Sequence, residues 1–305
     1  MLKSLCKVFA PSGMEEQMRE YIKECIKDVF DEIQADNLGN LVARKNGSQR
    51  SLCIECGMDS CGIMVTSKME DKAYFSGIGG VSAAYLNGKK VFFKDGNFGI
   101  IRYEGKNAAD AKVTDLYIQT DTKGISIGDF GVVADEYCEN SKSFFANGVA
   151  SKIALAAVLQ AVKTADTNKG YTVLFSAQRR FAAKGIQTFF TNEEFDRVIT
   201  VDGISCEAGI KCGYGCAIIA VDSRGVSDKG FREETENISN DRKIKFQTAV
   251  THENMCIEAV STSGSGANCV ALGIPVAHKG KNYESVLKSD FNETVKLIKT
   301  VIEEF

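Results

Sequence analysis

Histidine is scarce in this chain, with only His252 and His278 among 305 residues. A two-cation hydrolytic centre takes two or more imidazoles together with a set of carboxylates, so such a centre has almost nothing to draw on here. Neither histidine is expected to be a ligand: His252, in Ala249–Glu253, reads as solvated on a helix surface, and His278 as the continuation of an apolar strand over Ile274–Ala277. Long apolar runs are missing too, and none approaches the roughly 20 residues that a membrane span requires. Met1–Ala10 is short and interrupted by Lys3 and Lys7, unlike a secretory signal, and the expected location is cytoplasmic. A net charge of −3 with both signs dispersed leaves no basic stripe for nucleic acid and no polyacidic tail. No internal repeat or low-complexity segment stands out.

What the chain does have is an ordinary globular composition, 44% hydrophobic and 25% charged, enough to form a core without staples. Its eleven cysteines are odd in number and scattered, which reads as reduced thiols. Cys53 and Cys56, with Cys61 close behind, have no matching second pair beyond the wider Cys212/Cys216, so they are expected to pack as small hydrophobes.

Local patterns predict a mixed, largely parallel α/β sheet flanked by helices. Ser12–Glu15 reads as a capping box, ahead of a helix from about residue 13 to 30 carrying Met18, Ile22 and Ile26 on one face. Leu41–Ala43 and Leu52–Cys56 read as strands, the second ending at a Gly57–Asp59 turn. Between about residues 67 and 141 the helical period vanishes and short β-rich runs alternate with Gly, Asn and Asp turns. This predicts a small β-domain (67–141) inserted into an α/β domain formed by residues 1–66 and 142–305. After it come an apolar helix over Val149–Val162, a strand over Tyr171–Ala177, a helix near Asn192–Phe195, a strand ending at Asp202, and a last helix from Asp290 with Glu293 as its capping partner.

Two strand ends carry the chemistry. Gly57–Val65 follows one, and the triplet Gln178, Arg179, Arg180 follows another, with Gly185 downstream. Together with Ala10–Glu16, Asp36–Ala43 and Val198–Asp202, these segments resemble, in the same order, the glutamyl/deblocking aminopeptidases, the co-catalytic two-metal peptidases of metallopeptidase family 42. The resemblance covers nearly the whole chain and implies an α/β aminopeptidase fold with an inserted β-domain that serves in dimerisation and in covering the site. It also implies that the site has changed. The family's first ligand His falls on Gly57, and the Asp two residues later is kept as Asp59. The bridging Asp falls on Asn147, the catalytic Glu on Arg179, the ligand Glu on Arg180, and the last His on Gly280, while the remaining Asp is kept as Asp202.

A guanidinium has no acceptor lone pair and stays protonated, so it can neither coordinate a cation nor take a proton from water. The expected protein is therefore a catalytically inactive homologue with no metal or other cofactor. Asp59, Asn147, Arg179, Arg180 and Asp202 would line a cleft for a small anionic or peptide-like ligand, or the protein would serve a structural role in an assembly, in either case as a homo-oligomer. Arg180 is expected to pair directly with Asp202, and Arg179 to turn toward the cleft. The rival reading is a metal-dependent aminopeptidase using ligands elsewhere in the chain. Ser263–Gly266 resembles a nucleophile turn but lacks the strand–serine–helix setting, and Gly77–Gly80 and Gly213–Gly215 lack the rest of a dinucleotide fingerprint.

Overall fold

The computed structural model describes residues 1–47, 52–105, 107, 111–134, 136–207 and 209–305. The chain opens with a one-turn helix α1 (Leu2–Leu5) and with α2 (Glu16–Ile26), whose Met18, Ile22 and Ile26 recur at helical spacing and are buried. Strands β1 (Glu32–Ala35), β2 (Leu41–Lys45) and β3 (Leu52–Gly57) follow. The next six strands, β4 (Gly62–Met69), β5 (Lys72–Ile78), β6 (Lys90–Phe93), β7 (Phe98–Tyr103), β8 (Leu116–Gln119) and β9 (Phe130–Val133), close into a barrel in the order β4-β5-β8-β7-β6-β9. Closure leaves the barrel without free edges. Its own apolar core includes Ile63, Val65, Phe75, Val91, Ile101 and Ile118.

Beyond the barrel, β10 (Cys138–Glu139) and β11 (Ser143–Ala146) lead into α3 (Ala150–Thr164). Then come β12 (Tyr171–Ser176), α4 (Lys184–Asn192), β13 (Arg197–Ser205), β14 (Cys216–Val221), α5 (Lys229–Asp241), β15 (Phe246–Val250), α6 (Ile257–Ser261), β16 (Asn268–Val276), β17 (Glu284–Leu287) and α7 (Lys288–Glu304). The eight-stranded main sheet has the order β1-β2-β12-β3-β13-β16-β14-β15, and no barrel strand joins it. Its centre, β12-β3-β13-β16, is parallel, while β2 pairs antiparallel with β12 and β14 with β16.

Alternation along the central strands sorts the core into two layers. Ile54, Ile199, Val201, Val270 and Leu272 face the side covered by α2, α3 and α7. Cys53, Val198, Ile204, Cys269 and Ala271 face the side covered by α4 and α6. Helix α3 is apolar almost all round and is buried accordingly.

Several local expectations need correction. Glu15 does not complete a box with Ser12, and α2 begins at Glu16 and stops at Ile26. The Glu15 carboxylate is instead buried, accepting hydrogen bonds from the N–H groups of Gly13 (2.8 Å) and Gln178 (2.9 Å). The helix expected near Asn192–Phe195 lies just upstream as α4. Helix α7 starts at Lys288, and Asp290 does not cap it, because its carboxylate accepts from the N–H groups of Gly213 (2.7 Å) and Gly215 (2.9 Å) in the β13–β14 loop. His278 lies past the end of β16 in a turn, exposed, at φ +60°, and His252 is exposed on a bend rather than a helix. Not every cysteine is a free thiol, since Cys206 and Cys212 form a disulfide with Cα atoms 6.3 Å apart.

Candidate functional site

Strands β3, β12 and β13 run parallel, so their C-terminal ends open on the same edge of the sheet, where open α/β sheets place their sites. Asp59 follows β3, Arg179 and Arg180 follow β12, and Asp202 lies near the end of β13. The turn after β12 is held from several directions. Gln178, Ala182 and Ala183 sit at φ +49°, +60° and +52°, a left-handed region in which side chains cost about 1–2 kcal/mol per residue. Glu15 holds the N–H of Gln178, and buried Asn40 accepts from the N–H of Ala177 (2.8 Å) while donating to the carbonyl of Gly185 (2.9 Å). This anchoring fixes the two arginines.

The arginines take roles opposite to those expected. Arg179, not Arg180, is the buried partner of Asp202: its Nη1 donates to Asp202 Oδ2, and its side chain is only 5% exposed. Its Nε donates to Glu55 Oε1 at 3.1 Å, and Nη2 reaches the carbonyl of Met255 at 3.4 Å. Arg180 keeps only a long approach to Asp202, with Nη2 4.0 Å from Oδ1, and its side chain, 19% exposed, lines a cavity of about 500 Å³. The reversal accompanies a left-handed turn at Gln178, the residue just before the two arginines.

Asp59 is buried and accepts the backbone N–H of Arg180 through Oδ2 at 2.8 Å. Asn147 stands apart from this cluster but lines the same cavity, accepting from Lys89 Nζ (3.3 Å) and the N–H of Tyr283 (3.2 Å) and donating to the carbonyl of Ala134 (3.2 Å). The sequence reading missed Glu55. Fully buried in β3, it accepts from Ser176 Oγ (2.6 Å) and Arg179, and a lone carboxylate in the apolar run Leu52–Cys56 was the available signal, since a buried charge needs a partner.

Burial and pairing compete differently at the two carboxylates. At Glu55 burial wins and the carboxyl titrates above the usual range, with Arg179 and Ser176 offsetting only part. At Asp202 burial also pushes upward, but Arg179, Arg180 and Lys279 outweigh it and hold the carboxyl below the usual range. A lowered carboxylate contributes stability that is present above its unfolded pKa, about 3.9, and is lost as pH falls through the folded value. Glu55 has the opposite sign, and the fold gains as it protonates. Asp202→Asn is thus expected to be weaker at neutral pH yet to lose less stability below about pH 4 than the parent protein. Urea melts at stepped pH check this, and parallel acid limbs would refute it.

A profile of the M42 glutamyl aminopeptidases matches residues 39–297. The chain belongs to that family. A candidate aminopeptidase of Acetivibrio thermocellus is 28% identical, covering 98% of this chain and 96% of the relative. An aminopeptidase from the archaeon Desulfurococcus kamchatkensis superposes with a TM-score of 0.92 at 22% identity, over 100% of this chain and 94% of that one. The TET1 peptidase of Pyrococcus horikoshii, which assembles into a tetrahedron or a large octahedral shell, superposes with a TM-score of 0.88 at 23% identity, over 100% and 98%.

The residues present in this M42 chain do not fit the pair of divalent cations that the family implies. At Gly57 an added Cβ would lie 2.6 Å from Arg179 Cδ, so no side-chain ligand can stand there while Arg179 holds its place. Asp202 already has one oxygen on Arg179 and the other on the N–H of Gly203. Among the described residues no group of three or more His, Cys, Asp or Glu side chains is arranged to hold a metal ion.

Proposed function

We propose that this M42 family member is not a peptidase and that it binds a small ligand in the cavity beside its rebuilt site. The observation that carries the reading is the buried Glu55–Arg179–Asp202 cluster, in which a guanidinium holds Asp202, the one carboxylate kept at a cation-ligand position, together with Glu55. A general base alone is commonly worth about 10²–10⁴ in rate, and no base stands at position 179. Of the expected ligand-binding set, Asn147 and Arg180 line the cavity, while Asp59, Asp202 and Arg179 form the charged bed beside it that holds Arg180 in place. The inserted β-domain, expected over residues 67–141 and built on barrel strands that begin earlier, at Gly62, and end at Val133, serves as a lid and dimerisation domain on the α/β domain formed by the rest of the chain. Assembly as a homo-oligomer is supported by the tetrahedral and octahedral shells of the Pyrococcus horikoshii relative. No helix among the described residues is long and apolar enough to cross a membrane, and the proposed location is cytoplasmic.

The test is aminoacyl p-nitroanilide hydrolysis with added zinc or cobalt, alongside elemental analysis of the dialysed protein. Turnover should stay at the no-enzyme background with substoichiometric metal. Stoichiometric metal together with metal-dependent turnover would restore the peptidase reading.

A further inference from the structure

The cavity beside Arg180 is unbalanced in charge. Arg180, Lys7, Lys89, Lys94, Lys279 and Lys281 line it, and among the described residues the one acidic side chain in its lining is Glu284. Both oxygens of Glu284 are engaged, accepting from the N–H groups of Ala150 (2.8 Å) and Gly280 (2.7 Å). Lys279 is satisfied by the carbonyl of Gly203 (2.6 Å) and the Glu253 carboxylate, and Lys94 has only a half-exposed approach to Glu16 at 3.9 Å.

Beside the solvent-exposed Lys7 and Lys281, two less exposed cations face the cavity without an adequate anion among the described residues. Lys89 Nζ donates to the neutral amide oxygen of Asn147 at 3.3 Å. The Arg180 guanidinium is mostly shielded from solvent, its Nε is buried with no hydrogen-bond partner, and its Asp202 contact at 4.0 Å is too long for a hydrogen bond. Asp59 sits nearby, with Oδ2 on the arginine's own backbone N–H and Oδ1 buried and making no hydrogen bond to the guanidinium. A shielded guanidinium with unmade bonds costs stability, and a carboxylate or phosphate supplies the bidentate acceptor that matches its fork. The barrel side of the wall carries an apolar stretch, Val81, Leu86, Phe93 and Val133, and about 500 Å³ is the size of a small-molecule site.

We infer that the cavity binds an amphipathic organic anion, a carboxylate or phosphate monoester whose head pairs with Arg180 and Lys89 and whose apolar body lies along Val81, Leu86 and Phe93. This deepens the ligand-binding reading above and rests on it. An aminopeptidase must receive a substrate's cationic amino terminus, whereas this cavity offers the opposite polarity.

Isothermal titration of the full chain with octanoate, octyl phosphate, octylamine, octanol and inorganic phosphate tests the inference. Both octyl anions should bind at least about tenfold more tightly than octylamine or octanol, with their relative order identifying the head group, and inorganic phosphate should bind more weakly than octyl phosphate. Arg180→Gln should weaken the anions by about tenfold or more, and Lys89→Gln by a smaller factor. If Arg180→Gln does not fold, the exposed-end variant Lys89→Gln decides the question. Anions that bind no better than octanol, inorganic phosphate that matches octyl phosphate, or folded variants that bind like the parent would overturn the inference. Metal-dependent peptidase turnover would sink the non-peptidase reading whatever the cavity binds. No turnover and no preference for anions would sink this inference alone.

Discussion

Replacing Arg179 with methionine is expected to lower the stability of the fold by about 3–5 kcal/mol, the cost of stranding buried charge. Arg179 is the shared partner of Glu55 and Asp202, one fully buried and the other nearly so, and its removal leaves two carboxylates facing each other under the sheet edge. Relief by protonation is only partial at neutral pH. The carboxyl at Glu55 already titrates high through burial and takes up a proton more readily once Arg179 is gone, whereas Asp202 keeps Arg180 and Lys279 as neighbours. The combined variant Glu55→Leu/Arg179→Met/Asp202→Leu should recover most of the loss, because replacing a whole buried ion cluster by apolar side chains is often neutral or better. Equilibrium urea unfolding of the single and triple variants reads both effects. A change below about 1 kcal/mol for Arg179→Met, the range of an exposed pair, would mean that the cluster is solvated.

The second large effect concerns reversal of the site. Gly57→His should destabilise by about 1–3 kcal/mol through overpacking, because its Cβ arrives 2.6 Å from Cδ and 3.2 Å from Cβ of Arg179, a side chain pinned at its far end by two carboxylates. In an Arg179→Ala background the tightest contact, to Cδ, disappears and most of the steric penalty with it, so a double-mutant cycle should show coupling between the two positions. The substitutions at 57 and 179 are thus one structural change. Arg179→Glu alone adds a third carboxylate beside Glu55 and Asp202 and should be poorly folded and still inactive. No single member of the set Gly57→His, Asn147→Asp, Arg179→Glu and Arg180→Glu should take up stoichiometric zinc or hydrolyse aminoacyl anilides. Elemental analysis showing one zinc per chain in any of these single variants would contradict the interlocked site.

The parts of the fold that were legible in the sequence are those whose signal is local. Helix α3 and strands β3, β12 and β13 announce themselves by apolar runs between Gly, Asn and charged turns, and the ordered motifs around Gly57, Gln178 and Asp202 bring those strand ends to one edge. What stayed hidden depends on single torsions or on partners far along the chain. Arg179 turns inward beside a positive φ at Gln178, a torsion that hydrophobic periodicity does not encode. Glu15 and Asp290 both look like helix-capping acids in their local context. Each is used instead by backbone N–H groups of distant loops, at Gln178 for the first and at Gly213 and Gly215 for the second. Glu55 was overlooked because the cysteines on either side of it drew the motif reading.

The position of β12 has a consequence for the order in which this chain acquires its structure. In the sheet β12 fills the slot between β2 and β3, yet it is made on the order of a hundred residues after them, with the barrel in between. All six barrel strands come from the continuous stretch Gly62–Val133, so the barrel can close on its own contacts as soon as it leaves the ribosome. During that interval β2 and β3 wait with unpaired edges and uncovered apolar faces, and the slow, non-local step is the docking of β12 into the gap. The arginine–carboxylate cluster spans β3, the β12 turn and β13, and it completes only after that docking. It therefore works as a late lock on the main sheet rather than as part of its nucleus.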